Sequence, residues 1–219
     1  MDNKSQKEEF FKKAYDLGDK RIKEGYGWPL EVDPQFKDFV KEIKKTLSSG
    51  RTLDVGCGQG RHAIYLAQNG FCAYGVDYIE RAIKEAKQNA KEQGIENIEF
   101  EEMDVLKLNF PDSFFDIVVD WSVIDHIKPK DWFVYTSGIS RVLRSGGYLI
   151  LSEFSSNDKR VEDKFEKNFF EDETHYNHYF RMDEIESLFG GEFDILNTTE
   201  TELDSNPKFV MLNILLKKK

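Results

Sequence analysis

Three glycines in five positions, Gly56, Gly58 and Gly60, follow a short apolar run and precede a helical pattern in "LDVGCGQGRHAIYLAQNG", residues 53–70. A strand-to-helix turn this rich in glycine lets the backbone approach a ligand closely, because no Cβ stands in the way. It also opens a regular alternation. Residues 51–55 read as a strand and 61–69 as a helix stopped by Gly70; 72–77 read as a strand and 80–93 as a helix stopped by Gly94. Residues 97–102 and 114–120 are strand-like, 130–143 mostly helical and 148–154 strand-like. Strands alternating with helices predict βαβ units around a parallel sheet covered on both faces.

The two ends depart from this pattern. Residues 4–24 carry Phe10, Phe11, Ala14 and Tyr15 on a helical period, and a Gly/Pro-rich loop with Tyr26 and Trp28 follows at 25–34. Asp33 caps a second helix, Pro34 sits in its first turn, and Phe36, Phe39, Val40, Ile43 and Leu47 form its apolar stripe. Residues 155–181 are polar but rich in aromatics, a short helix is expected near 183–189, and two strand-like runs, "FDILNTTE" and "FVMLNILLK", close the chain. Two strands joined without a helix pair antiparallel. The expected organisation is a helical cap over residues 1–46 and one α/β domain over 47–219 with an aromatic-rich insert at 155–181.

The residues around the turn bear on what it holds. A phosphate-binding loop ends in Gly-Lys-Ser/Thr, whereas this one ends Gly60-Arg61-His62. The dinucleotide fingerprint wants a third glycine where Arg61 stands, which leaves a nicotinamide nucleotide as a weak alternative. Asp54, two residues before the first glycine, would repel a pyrophosphate and suits an ammonium group. Asp77, ending the second strand, can accept from both hydroxyls of a ribose. Met103 and Asp104 follow the third strand, where a side-chain oxygen can reach an adenine amine. The implied ligand has an ammonium, a ribose and an adenine but no phosphate, as S-adenosyl-L-methionine does.

"LDVGCGQG" resembles motif I of the class I S-adenosylmethionine-dependent methyltransferases; "YGVDYIERAIKEA", "FEEMDVLKLNFPDSFFDIVV" and "ISRVLRSGGYLILSEF" resemble their later motifs, in order, over residues 51–154. The resemblance implies a Rossmann-like α/β fold: a seven-stranded, mostly parallel sheet ending in an antiparallel hairpin. It also implies a cofactor set. Asp54, Gly56, Gly58 and Gly60 would shape the methionine end, with Cys57 as a small packing residue of the turn rather than a nucleophile. Asp77 would bind the ribose; Tyr78 and Met103 would flank the adenine, with Asp104 and Val105 beside it, and Trp121 would lie near the sulfonium.

Acceptor choice depends on the loop after the fourth strand, "DWSVIDHIKPKDW". The Asn/Asp-Pro-Pro-Tyr run of base-amine methyltransferases is missing, as is the paired-glutamate loop of arginine methyltransferases. The stretch is more similar to small-molecule enzymes of the thiopurine and tellurite type, with His126 and Tyr135 at matching places. Catalytic candidates are therefore His126, Trp121 and Tyr135, and acceptor-binding candidates Tyr26, Trp28, His126, Tyr176 and Tyr179. A packing role for His126 and for Trp28 stays open, as do transfer to RNA or a protein side chain and a non-catalytic cofactor-binding module. His175 and His178 form H-x-x-H beside acidic residues, too few ligands to make a metal the expectation.

The formal net charge of −10 weighs against nucleic acid and anionic membranes. Two cysteines without ligand spacing, and no apolar leader after Met1, suit a reduced cytoplasmic compartment. The lysines at 217–219 read as a solvated end. The expected partner is a small-molecule acceptor; the oligomeric state is left open.

Overall fold

The structure is a computed structural model and describes residues 31–158, 168–171, 176–202 and 209–219. The expected helix at 4–24, and Tyr26, Trp28 and His175, lie outside the described residues. Helix α1 spans Pro34–Ile43, and the Oδ1 of its cap Asp33 accepts from the Gln35 N–H at 2.8 Å. Its stripe is buried at Phe36, Phe39, Val40 and Ile43, in a core shared with Ile117, Ile150 and Leu215 of the sheet. This helix thus belongs to the body that carries the site.

Strands β1 (Arg51–Val55), β2 (Cys72–Asp77), β3 (Ile98–Glu102), β4 (Phe115–Trp121) and β5 (Leu143–Phe154) alternate with helices α2 (Arg61–Gln68), α3 (Glu80–Glu92) and α4 (Pro129–Val142). After β5 come the short strands β6 (Phe169–Glu171) and β7 (Tyr176–His178), helix α5 (Met182–Phe189), and strands β8 (Phe193–Glu202) and β9 (Val210–Lys218). One sheet of seven strands has the order β3-β2-β1-β4-β5-β9-β8, with β1 to β5 parallel and β9 antiparallel to both β5 and β8. The strand order reverses at β1, so the crevice for a ligand opens at the carboxyl ends of β1 and β4.

Each face of the sheet has its own apolar layer. Leu53, Val118, Leu149 and Leu151 pack with Tyr135 and Ile139 of α4 and Phe189 of α5; Ile117, Val119 and Ile150 pack with α1 and α2. Strands buried on both faces read as continuous apolar runs, as "DIVV" and "YLILS" do. Two findings depart from expectation. The insert contains an antiparallel pair, β6 with β7, that its scattered aromatics did not signal. Of the terminal lysines, Lys218 is held rather than solvated, its Nζ donating to the carbonyls of Ser140 and Leu143 at 2.7 and 2.9 Å, while Lys219 is exposed and donates to the Gly190 carbonyl at 2.8 Å.

Candidate functional site

The glycine turn is built from backbone. Gly56, Gly58 and Gly60 have φ of 61°, 54° and 82°, a left-handed run that side chains resist. The Cys57 N–H donates to the Val76 carbonyl at 2.9 Å, tying the turn to β2. A Cβ on Gly56 would come within 2.5 Å of Val123 Cγ2, so the loop after β4 folds back onto this turn.

Two acidic side chains brace it. Asp77 Oδ2 accepts from the Gly58 N–H at 3.0 Å and its Oδ1 from Ile79 N–H at 2.9 Å, joining the turn to the end of β2. Asp54 Oδ2 accepts from Ala63 N–H at 3.2 Å, the first turn of α2. Asp54 therefore has a structural task the sequence did not disclose. Burial pushes the carboxyl of Asp54 up to about 7 and that of Asp77 up to about 6, with the backbone hydrogen bonds opposing the rise. Buried acids of this kind gain from positive charge and hydrogen-bond donors. With backbone amides on both oxygens, Asp77 still has acceptor capacity left, and these acceptors fit a ligand bringing hydroxyls and an ammonium. Burial, with Asp54 and Asp77 nearby, raises the Cys57 thiol well above its ordinary range, in keeping with a packing role.

The adenine-side candidates gather at the end of β3. The Met103 N–H donates to the Asp77 carbonyl at 2.9 Å, and Asp104 caps the short 3₁₀ turn Val105–Lys107 through Leu106 N–H at 3.0 Å. Tyr78 lies in the β2–α3 link between Asp77 and the cap of α3.

At the end of β4, neighbouring residues face opposite ways. The Trp121 ring lies 5.4 Å from Phe36 and 4.9 Å from His62, on the α1/α2 side. His62 is a site residue that sequence reasoning missed. It is buried and its Nε2 has no hydrogen-bond partner; burial drives its pKa well down, so the ring is neutral. Only its place two residues after the last glycine could have flagged it. Asp120 faces α4, where Tyr135 donates its hydroxyl to Asp120 Oδ2 at 2.7 Å. Tyr135 is fully buried, so it stands behind the strand end instead of at an open surface.

His126, in the 3₁₀ turn Ile124–His126, has Nδ1 3.2 Å from the Tyr176 carbonyl and Nε2 3.6 Å from Asp125 Oδ1. The structure thus joins His126 to Tyr176. The Tyr176 hydroxyl and His178 Nδ1 are 3.1 Å apart, and His178 Nε2 is 3.1 Å from Glu184 Oε1. Tyr179, buried, packs against Phe154 with the rings tilted and their centroids 5.8 Å apart, beside the end of β5.

A glycine turn braced by strand-end carboxylates on a β3-β2-β1-β4-β5-β9-β8 sheet defines a Rossmann-like domain of the methyltransferase type. The family described as "Methyltransferase domain" matches residues 47–204, and the chain belongs to it. S-adenosyl-L-methionine is its cofactor.

Among similar proteins are 27-O-demethylrifamycin SV methyltransferase of Amycolatopsis mediterranei, 35% identical over 127 residues, 57% of this chain and 46% of that protein. Another is 2-heptyl-1-hydroxyquinolin-4(1H)-one methyltransferase of Mycobacteroides abscessus, 31% identical over 125 residues, 56% of this chain and 55% of that protein. The matches span about half the length of these curated relatives. The crystal structure of Burkholderia thailandensis 1,6-didemethyltoxoflavin-N1-methyltransferase, with its substrate and S-adenosylhomocysteine bound, shares the fold. Its TM-score is 0.76 at 18% identity, covering 98% of this chain and 88% of that one.

Proposed function

We propose that the chain transfers a methyl group from S-adenosylmethionine to a small-molecule acceptor by direct displacement. The observation that carries the reading is the Asp77 bridge: one carboxylate links the glycine turn to the end of β2, where it can accept from a ribose. The relatives named above, whose acceptors are small molecules by name, support the choice of acceptor class.

In this reading Asp77 receives the ribose hydroxyls; Asp54, Gly56, Cys57, Gly58 and Gly60 form the methionine end; Tyr78, Met103, Asp104 and Val105 enclose the adenine. The bound cofactor supplies an electrophilic methyl on a sulfonium. The chain's own part is to align the acceptor with that methyl and keep water out. Trp121 walls the α1 side of the reaction centre. His126 is the candidate proton acceptor: a hydrogen bond from Nδ1–H to the Tyr176 carbonyl makes Nε2 the basic nitrogen, 3.6 Å from Asp125 Oδ1. Tyr135 acts through Asp120, as a positioning group. Tyr26, Trp28, Tyr176 and Tyr179 form the acceptor wall, and the amino-terminal segment with 155–181 the cap over the cofactor.

No helix among the described residues is long and apolar enough to cross a membrane. The two cysteines, Cys57 and Cys72, are free, which supports a reduced cytoplasmic setting. The charge of −10 argues against a nucleic-acid acceptor. Incubation with methyl-labelled cofactor and a panel of phenols, hydroxylated heterocycles, amines and thiols tests the reading. Label in a low-molecular-weight product is expected; label confined to added RNA or protein would overturn it.

A further inference from the structure

Three carboxyl groups meet where β4 and β5 end: Asp120, Asp125 and Glu153, each fully buried. Asp120 accepts from the Tyr135 hydroxyl and a backbone amide and Glu153 from a backbone amide, whereas both Asp125 oxygens are buried without a hydrogen-bond partner among the described residues, His126 Nε2 lying 3.6 Å from one of them. No group of three or more such side chains is arranged to hold a metal ion among the described residues. Three negative charges enclosed together without a cation are prohibitive, so protons must take the cation's place.

The geometry says where one of them sits. Asp120 is supplied with donors, from the Tyr135 hydroxyl at 2.7 Å on Oδ2 and from Val123 N–H at 3.0 Å on Oδ1, so it is the anion of the set. Glu153 lies in the same buried cluster and feels the charge of Asp120. Glu153 Oε2 accepts from Asp125 N–H at 3.3 Å, while Oε1 is buried with no donor. Two carboxyl groups bond to each other only through a proton. Placing it on Glu153 Oε1, directed at Asp120, gives the orphaned oxygen its partner. Burial and the neighbouring Asp120 and Asp125 also hold the Glu153 carboxyl well above the ordinary range.

What this proton holds is the loop after β4. Ser122 adopts φ of 61°, a left-handed conformation costly outside glycine, with its N–H donating to the Ser152 carbonyl at 2.8 Å. The chain then turns back to set Val123 against Gly56. Two carboxyl-to-amide bonds secure that return, Asp120 to Val123 and Glu153 to Asp125.

We propose that Glu153 is a positioning residue for methyl transfer: as a neutral acid it bridges Asp120 and the Asp125 amide, and so locks residues 122–126 over the cofactor turn. The proposal rests on the reading of this loop as the acceptor side. The titratable groups facing Glu153 are Asp120 on β4, Tyr135 on α4 and Asp125 in the loop. Ionising Glu153 at high pH would set two anions against each other and release the loop, so activity should fall on the alkaline side.

Glu153→Gln and Glu153→Leu test this. Glutamine keeps both bonds, its NH₂ donating to Asp120 and its oxygen accepting from Asp125 N–H. It should retain kcat within about threefold and lose the alkaline fall. Leucine makes neither bond and should lower kcat at least ~tenfold, while S-adenosylhomocysteine affinity stays within about threefold. An independent readout needs no turnover: the infrared carbonyl stretch of a protonated carboxyl, present in the wild type at neutral pH and diminished in Glu153→Gln. It also stands if Glu153→Leu fails to fold. A wild type without that Glu153-dependent band, or a Gln variant as impaired as the Leu variant, overturns the proposal. If the infrared band is present but no acceptor is methylated, the assignment of function fails and the proton assignment survives.

Discussion

In the proposed reading, the two halves of the site are held by different means. At the cofactor end, three left-handed glycines and the amides of Gly58 and Ile79 converge on Asp77, and the contacts join positions close to the turn or to the next strand. At the acceptor end, side chains do the holding. Asp120 reaches Tyr135 on α4, Glu153 reaches the Asp125 amide, and His126 reaches the Tyr176 carbonyl across 50 positions of sequence. Backbone frames tolerate changes in most side chains and fix one ligand geometry; side-chain frames change with each residue. A common cofactor and a varied acceptor require that division.

The largest effect should come from the acceptor end. Asp120→Ala leaves the Tyr135 hydroxyl and the Val123 N–H buried without an acceptor, at about 1–3 kcal/mol each. Urea unfolding should show a loss of several kcal/mol, while the affinity of the folded fraction for S-adenosylhomocysteine changes little. A variant as stable as the wild type would show that the carboxylate cluster does not hold the strand end.

The second effect separates stability from binding through pH. Asp77 and Asp54 have folded pKa values raised to about 6 and about 7 from 3.8. The folded state binds these protons more tightly than the unfolded chain. Their contribution to stability is therefore complete below about pH 4 and is lost as pH rises through about 6 to 7. Cofactor binding runs the other way, because the ionised carboxylates are the better partners for an ammonium and two hydroxyls. Calorimetry from pH 5.5 to 8 should show affinity rising by about tenfold as these carboxyls ionise. Flat affinity across that window would remove the two acids from the binding set.

Legibility followed the same division. The glycine turn, Asp77, and the sheet with its antiparallel end could be read because glycine spacing, strand-end carboxylates and apolar runs are local signals. The β6–β7 pair could not, since strands of three residues each are too short to show an alternating pattern. Asp125 and Glu153 carry no local signal in sequence; nothing near them says that the turn after β4 and the end of β5 bury them together. Tyr135 was singled out by resemblance, yet its partner Asp120 was visible only in three dimensions. His62 was passed over because a helix start beside a glycine turn gives no sign of which aromatic rings will enclose it.

The smallest effect is expected there. His62→Phe keeps the ring packing against Phe36 and Trp121 and removes a buried nitrogen that has no partner. Replacing an unsatisfied polar group by an apolar one of similar shape should change stability by less than about 1 kcal/mol, with a gain more probable in sign than a loss. A marked fall in transfer with unchanged cofactor affinity would instead give His62 a task at the acceptor end.

In the proposed reading Asp77 makes the cofactor end. The decisive experiment is to titrate S-adenosylhomocysteine into wild type and Asp77→Ala, with NAD as the competing ligand. The wild type should prefer S-adenosylhomocysteine, and the folded variant should bind it more weakly by about 1.5–3 kcal/mol, the value of a hydrogen bond to a charged group. Unchanged affinity in the variant, or tighter binding of NAD by the wild type, would contradict it.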